Sequence, residues 1–167
     1  MLAAWILPAC RATGSQAETA ATDELQGVLV ELYDAFGFES GQEPDWAAQR
    51  RLALEGAAFV PSLRPGRVPV ATGIEPFFAD FRAFVQSEPW ASTGFKERIV
   101  GVQIERFGAL AHAFVAFEGY VPGEDEATTR GLDSLQLVHD GSGWKVTAFA
   151  TQFERDDLAL PERFVDR

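Results

Sequence analysis

Two neighbouring stretches decide the fold: residues 105–120, ERFGALAHAFVAFEGY, and residues 130–146, RGLDSLQLVHDGSGWKV. In the first, Ala113, Val115 and Phe117 alternate with His112, Phe114 and Glu118, a period of two that marks a strand with one buried face. The tetrapeptides FGAL at 107–110 and DGSG at 140–143 carry the glycines of tight hairpin turns. Working outward, the pattern predicts four strands over roughly 95–106, 110–121, 128–139 and 144–153. With PGEDEA at 122–127 as the middle connection, they form an antiparallel meander.

Tight turns set a register in which residue 106 opposes 111, 139 opposes 144, and even residues oppose even ones across the middle hairpin. One face then collects Val100, Val102, Ile104, Ala113, Val115, Phe117, Leu135, Leu137, Trp144, Val146 and Ala148, and helices must cover it. The other collects Glu97, Gln103, Glu105, His112, Phe114, Glu118, Tyr120, Arg130, Ser134, Gln136, Thr147, Phe149 and Phe153. This mixture of aromatic and hydrogen-bonding groups suits an interface with a second copy of the chain. A one-residue bulge would swap every assignment beyond it.

The helices precede the meander. Asp23 and Gln26 read as a capping-box variant opening a helix whose stripe is Leu25, Val28, Leu29, Leu32 and Phe36, ending near Gly37. A short helix is expected from Asp45 to about Leu54, and Ala58, Phe59 and Val60 begin a short strand. Thr72 and Glu75 form the capping box of a third helix, with Ile74, Phe77, Phe78, Phe81, Phe84 and Val85 at helical spacing. The fold class is therefore α+β, three N-terminal helices packed on the concave face of a curved antiparallel sheet.

This order of elements, together with the Ala-His strand at 111–112, the Arg-Gly-x-Asp-Ser-x-Gln-Leu strand at 130–137 and the Gly-x-x-Trp turn at 141–144, resembles the nuclear transport factor 2-like superfamily. The similarity spans about residues 23–154 and is nearest to uncharacterised bacterial members. The resemblance implies a cone-shaped, cystatin-like domain with a cavity between sheet and helices. The same cone hosts polyketide cyclases (SnoaL-like), isomerases, dehydratases, binders and assembly modules, and no catalytic motif of those enzymes is matched here.

Composition narrows the function classes. A formal net charge of −11 with no Lys/Arg run disfavours nucleic acid. One cysteine and two histidines exclude a disulfide framework and a histidine-rich metal site, and no nucleophile elbow or phosphate loop is present. Neither a metal nor a cofactor is expected. Residues 2–9 form an apolar run ending in LPAC, which resembles a bacterial lipoprotein signal with Cys10 as the lipidated residue. On that reading residues 1–22 are a signal-like segment and flexible tether, 23–167 are the domain, and the protein is exported to the cell envelope and tied to a membrane through the anchor alone. Otherwise Cys10 is incidental and the protein cytoplasmic.

Asp133 is the most informative single residue, because the register puts a carboxylate on the apolar, helix-facing side. Burial would raise its pKa and suit it to act as a general acid or base, unless Arg98, assigned to the same face, neutralises it. Tyr33, Trp46, Phe77, Phe78, Phe81 and Trp144 are expected to line the cavity, with core packing as the alternative for each. His112 opposes Glu105, Glu118 and Arg130 form a cross-strand ion pair, and Ser134 and Gln136 supply hydrogen bonds to a homodimer interface. The leading expectation is a binding domain for a small hydrophobic or aromatic molecule. A cofactor-free lyase, isomerase or cyclase using Asp133, and a structural dimerisation module with a filled cone, are the alternatives.

Overall fold

The computed structural model describes residues 12–63 and 65–165. Cys10 and the apolar run before it lie outside the described residues. Helix α1 (Ala12–Asp34) leads into a two-residue strand β1 (Phe38–Glu39), helix α2 (Trp46–Leu52) and strand β2 (Ala53–Val60). Then follow α3 (Ile74–Val85), a single turn α4 (Trp90–Thr93) and the long strands β3 (Gly94–Phe107), β4 (Leu110–Tyr120), β5 (Thr129–His139) and β6 (Trp144–Phe153). A 3-10 turn, Glu162–Phe164, closes the described chain. The six strands form one curled sheet in the order β1-β3-β4-β5-β6-β2, with β2 parallel to β6 and the other neighbours antiparallel.

The four-strand meander matches the pattern in the sequence, and so does its register near the turns. Arg106 pairs with Ala111, Glu118 with Arg130, and His139 with Trp144. Helix α1 runs N-terminal of Asp23 to Ala12, so the stretch expected as a tether is helical backbone and Asp23 does not open the helix. Its inward stripe is Leu25, Leu29, Leu32, Tyr33 and Phe36, all at most 4 % exposed. The stripe meets Ala113, Val115, Phe117, Leu135 and Leu137 from the sheet, each burial stabilising by roughly 1.5–3 kcal/mol for a large side chain.

Neither expected capping box, Asp23 with Gln26 or Thr72 with Glu75, caps a helix. Asp45, expected as the first residue of the second helix, instead caps α2 by accepting from the Ala48 amide at 2.9 Å. At α3 the cap is Gly73, without a side-chain bond. Thr72 instead donates its hydroxyl to the Phe59 carbonyl, and Glu75 takes a two-pronged ion pair from Arg50 at 2.6 and 2.8 Å.

The main correction concerns the sheet faces. The ladder β3/β4 shifts register between Ile99 and Gly101, and β5/β6 shifts between Gln136 and Leu137, opposite Thr147. Each shift inserts one residue and exchanges the two faces beyond it. Glu97, Phe149 and Phe153, assigned to the outer face by strict alternation, therefore turn inward. Arg98 and Ala148 turn outward, Arg98 opposite Glu118 and Ala148 opposite Gln136.

The outer face carries the polar network predicted for it. Arg130 holds Glu118 at 3.0 Å and Glu154 at 3.3 Å, Tyr120 donates to Glu118, and the Arg98 guanidinium lies 4.5 Å from the Tyr120 ring centroid. His112 bonds Ser134 at 3.1 Å rather than the opposing Glu105. Part of this face is covered by the chain itself. Phe164 packs on Phe114 at 5.2 Å between centroids, and Gln103 donates to the Arg163 carbonyl at 2.6 Å. Gly101 permits that approach, since a Cβ there would sit 1.9 Å from the Phe164 carbonyl oxygen.

Candidate functional site

The site grows from Tyr33 and Asp133. Leu25, Leu29 and Tyr33 follow one another at i+4 on α1, which sends the Tyr33 side chain into the core, where its hydroxyl must find a partner. Strand parity supplies one. Asp133, between Gly131 and Leu135 on the inward row of β5, receives the Tyr33 hydroxyl on Oδ2 at 2.5 Å. Both residues are almost fully buried, at 2 % and 3 % exposure. The other carboxyl oxygen, Oδ1, is buried with no hydrogen-bond partner.

Burial pushes the Asp133 carboxyl from its ordinary 3.8 up to about 7, with the Tyr33 and Thr151 hydroxyls pulling in the opposite direction. Thr151 faces it because the β6 bulge turns Phe149, Thr151 and Phe153 inward together. The β3 bulge brings in Glu97, whose pKa is likewise held well above the carboxylate range by burial and by the neighbouring Asp133 charge. The Tyr33 phenol is pushed well above 10 by burial and by Asp133, and remains a neutral donor.

These groups look into a pocket among seven phenylalanines: Phe36, Phe77 and Phe81 on the helix side, Phe84 at the mouth, and Phe117, Phe149 and Phe153 from the sheet. The cavity volume is about 30 Å³, room for a water or two, within about 420 Å³ of atom-free space that includes the mouth and open solvent. The rings account for the tightness, with Phe36–Phe81 centroids 5.0 Å apart, Phe77–Phe149 5.4 Å and Phe117–Phe153 5.7 Å. Gly131 leaves room for Phe117, whose ring a Cβ at that position would meet at 2.5 Å. The mouth lies between α3 and the end of β6, where Ser62, Asp80, Phe84 and Phe153 border an adjoining surface cleft. On the opposite side Tyr33 and Glu97 also border a second cleft, shared with Asp34, Phe38 and Gln42.

Of the residues expected at the cavity, Asp133, Phe77 and Phe81 line it, and Tyr33 reaches it through its bond to Asp133. The others stand elsewhere. Trp46 donates its indole N–H to Glu43 at 2.8 Å and stacks on Phe78 at 4.7 Å, near the surface, with the Arg82 guanidinium 5.1 Å from its ring. Phe78 turns away from the pocket toward Trp46 and Arg50. Trp144 is buried against His139 at the far end of the core, its indole N–H unpaired. Arg98 is on the opposite face of the sheet, so it does not neutralise Asp133.

Glu97, Thr151 and Phe149 escape sequence reasoning as site residues because a bulge decides where they point. The available signal is a break in alternation: the apolar neighbours Ile99–Val100 and Ala148–Phe149 each interrupt the period of two close to where the ladder shifts. Among the described residues no cluster of three or more His, Cys, Asp or Glu is arranged to hold a metal ion, and no helix is long and apolar enough to cross a membrane.

No family model and no curated protein matches the sequence. Solved structures do match the fold. A protein of unknown function with a cystatin-like fold from Nostoc punctiforme superposes with a TM-score of 0.62 at 10% identity, over 81% of this chain and 92% of that one. A nuclear transport factor 2-like protein with a cystatin-like fold from Novosphingobium aromaticivorans gives 0.58 at 12% identity, over 89% and 94%. A nuclear transport factor 2-like protein of unknown function from Shewanella baltica gives 0.55 at 17%, over 87% and 100%. The chain has the nuclear transport factor 2-like, cystatin-like fold.

Proposed function

We propose that the domain binds a small, mostly apolar molecule in the phenylalanine pocket, with a hydrogen-bond donor of the ligand on Asp133 Oδ1. The observation that carries this reading is the buried, partnerless Oδ1, since an unsatisfied buried acceptor costs about 1–3 kcal/mol that a ligand donor would recover. Phe84 and Phe153, both partly exposed at the mouth, are the side chains that must shift to admit it. A fragment screen followed by backbone amide shifts tests the idea. Fragments carrying a donor should perturb the amides of Asp133, Thr151 and Phe117 and raise the melting temperature with concentration; a library that moves none of these amides overturns it.

A second reading is favoured by the pairing of an acid of pKa about 7 with a neutral phenol donor and a second carboxyl. Such a set can take a proton from carbon and support the oxygen that gains charge, the work of a cofactor-free isomerase, lyase or cyclase. Deuterium exchange next to the carbonyl of a bound ketone fragment should then depend on Asp133. Equal exchange by wild type and Asp133→Asn removes the catalytic reading and leaves the binding one. We also propose a homodimer through the outer sheet face around His112, Ser134 and Gln136, beyond the part covered by Phe164; a monomer by light scattering at all concentrations refutes it.

A further inference from the structure

Resting on the binding reading above, we infer that the ligand of this pocket is a small organic cation, a primary or secondary amine on an aromatic or aliphatic body, rather than a neutral or anionic molecule. The pocket joins two features that together select positive charge. The charged groups that line it inside, Glu97 and Asp133, are both acidic, with no Lys, Arg or His among the described lining residues. Its remaining wall is chiefly phenylalanine, and a ring face turned to a cation attracts it most where water is excluded.

The groups around the two inner carboxyls, taken element by element, supply no compensating charge. From α1 comes the neutral Tyr33 phenol, from β6 the Thr151 hydroxyl, and Arg98 of β3 faces the other side of the sheet. In the cleft behind Glu97, Asp34 adds negative charge, while Lys96 and Glu39 offset one another at 3.0 Å. An ammonium entering the pocket finds in Asp133 Oδ1 a buried acceptor with no partner at hydrogen-bond distance, beside the Thr151 hydroxyl that faces the carboxyl. A carboxylate or phosphate entering it finds no cation among the described lining residues to pair with, and can stay only while both inner carboxyls hold their protons.

The same arrangement ties binding to proton release. An ammonium beside Asp133 favours the ionised carboxyl, so near pH 7 part of a proton leaves for each amine bound. A neutral donor favours the ionised carboxyl only through its hydrogen bond and releases less.

Isothermal titration of the full chain at pH 7 with benzylamine, benzyl alcohol and benzoate tests this with bodies of one size. Benzylamine should bind at least about tenfold tighter than benzyl alcohol, and benzoate should not bind. The benzylamine enthalpy should differ between phosphate and Tris buffers by the ionisation of the released proton, and Asp133→Asn should abolish both the preference and the buffer dependence. Benzyl alcohol binding as tightly as benzylamine, or benzylamine binding without proton release, overturns the cation reading while leaving a small-molecule site intact. Binding of none of the three at millimolar concentration overturns both. The three ligands compared on the wild-type protein give the sign by themselves, whether or not the variant folds.

Discussion

Replacing Asp133 with Asn should change how the stability of the domain depends on pH, and the size of the change follows from the site. In the unfolded chain this carboxyl ionises near 3.8, whereas burial holds it to about 7 in the folded state. The unfolded state therefore loses its proton first, so stability is full below the unfolded pKa and falls as pH rises toward the folded one. A difference of about three units corresponds to about 4 kcal/mol in total, of which roughly 2.5–3 kcal/mol is lost between pH 5 and pH 8. For a domain of this size that is a fall in Tm of roughly 5–12 °C. Asn has nearly the same shape and no charge to desolvate. Its own stability should stay flat in this respect, so the gap between variant and wild type should widen by about 2.5–3 kcal/mol from pH 5 to pH 8. Urea unfolding of both proteins at pH 5, 6, 7 and 8 measures the difference. The window avoids the exposed acids held low by partners, Glu43, Glu75, Asp140 and Asp157, whose contribution is lost only on further acidification. Glu97, also raised, adds to the slope of both proteins, and the part of its shift that comes from the Asp133 charge is lost in the variant, which widens the gap in the same direction. Parallel curves for wild type and variant would refute the assignment of Asp133 as a buried, destabilising carboxylate.

Tyr33→Phe removes the donor that favours the ionised carboxyl. The Asp133 pKa should then climb above about 7, seen by carbon NMR of the side-chain carboxyl, with about 1.5–3 kcal/mol lost at pH 8; an unmoved titration contradicts the bond. Gly101→Ala drives a methyl into the Phe164 carbonyl and should lift the C-terminal turn off the sheet, read as faster hydrogen exchange at the Phe164 and Val165 amides. Protection equal to the wild type would place that segment elsewhere. Arg130→Ala breaks a half-exposed network on the outer face, so stability should fall by no more than about 1 kcal/mol while the titration of Asp133 stays put. A shifted Asp133 titration would mean that the two faces communicate.

The meander is legible in the sequence because its turns announce themselves. FGAL and DGSG pin the register at 106/111 and 139/144, and the alternation between them places Ala113, Val115, Leu135 and Leu137 inside. Asp133 is legible for the same reason, as the polar member of an apolar row. Tyr33 is legible only as a core residue of a helical stripe, since its partner lies one hundred positions away. Strict alternation exchanges Glu97 and Arg98 because one inserted residue in β3 reverses both, and the insertion is a choice the backbone makes to curl the sheet around α1.

Local pattern by itself thus determined the three main helices, the meander and the burial of Asp133, because period, turn chemistry and apolar rows are properties of residues a few positions apart. Only the tertiary structure decided what stands beside that carboxyl. The bulges opposite Ala116–Phe117 and Gln136–Leu137 set the parity of the strand ends, which put Glu97 and Thr151 into the pocket and Arg98 outside it, and so left an acidic, phenylalanine-lined cavity without a counter-charge among its described lining. Parity across a bulge depends on long-range pairing, and short-range alternation does not carry it.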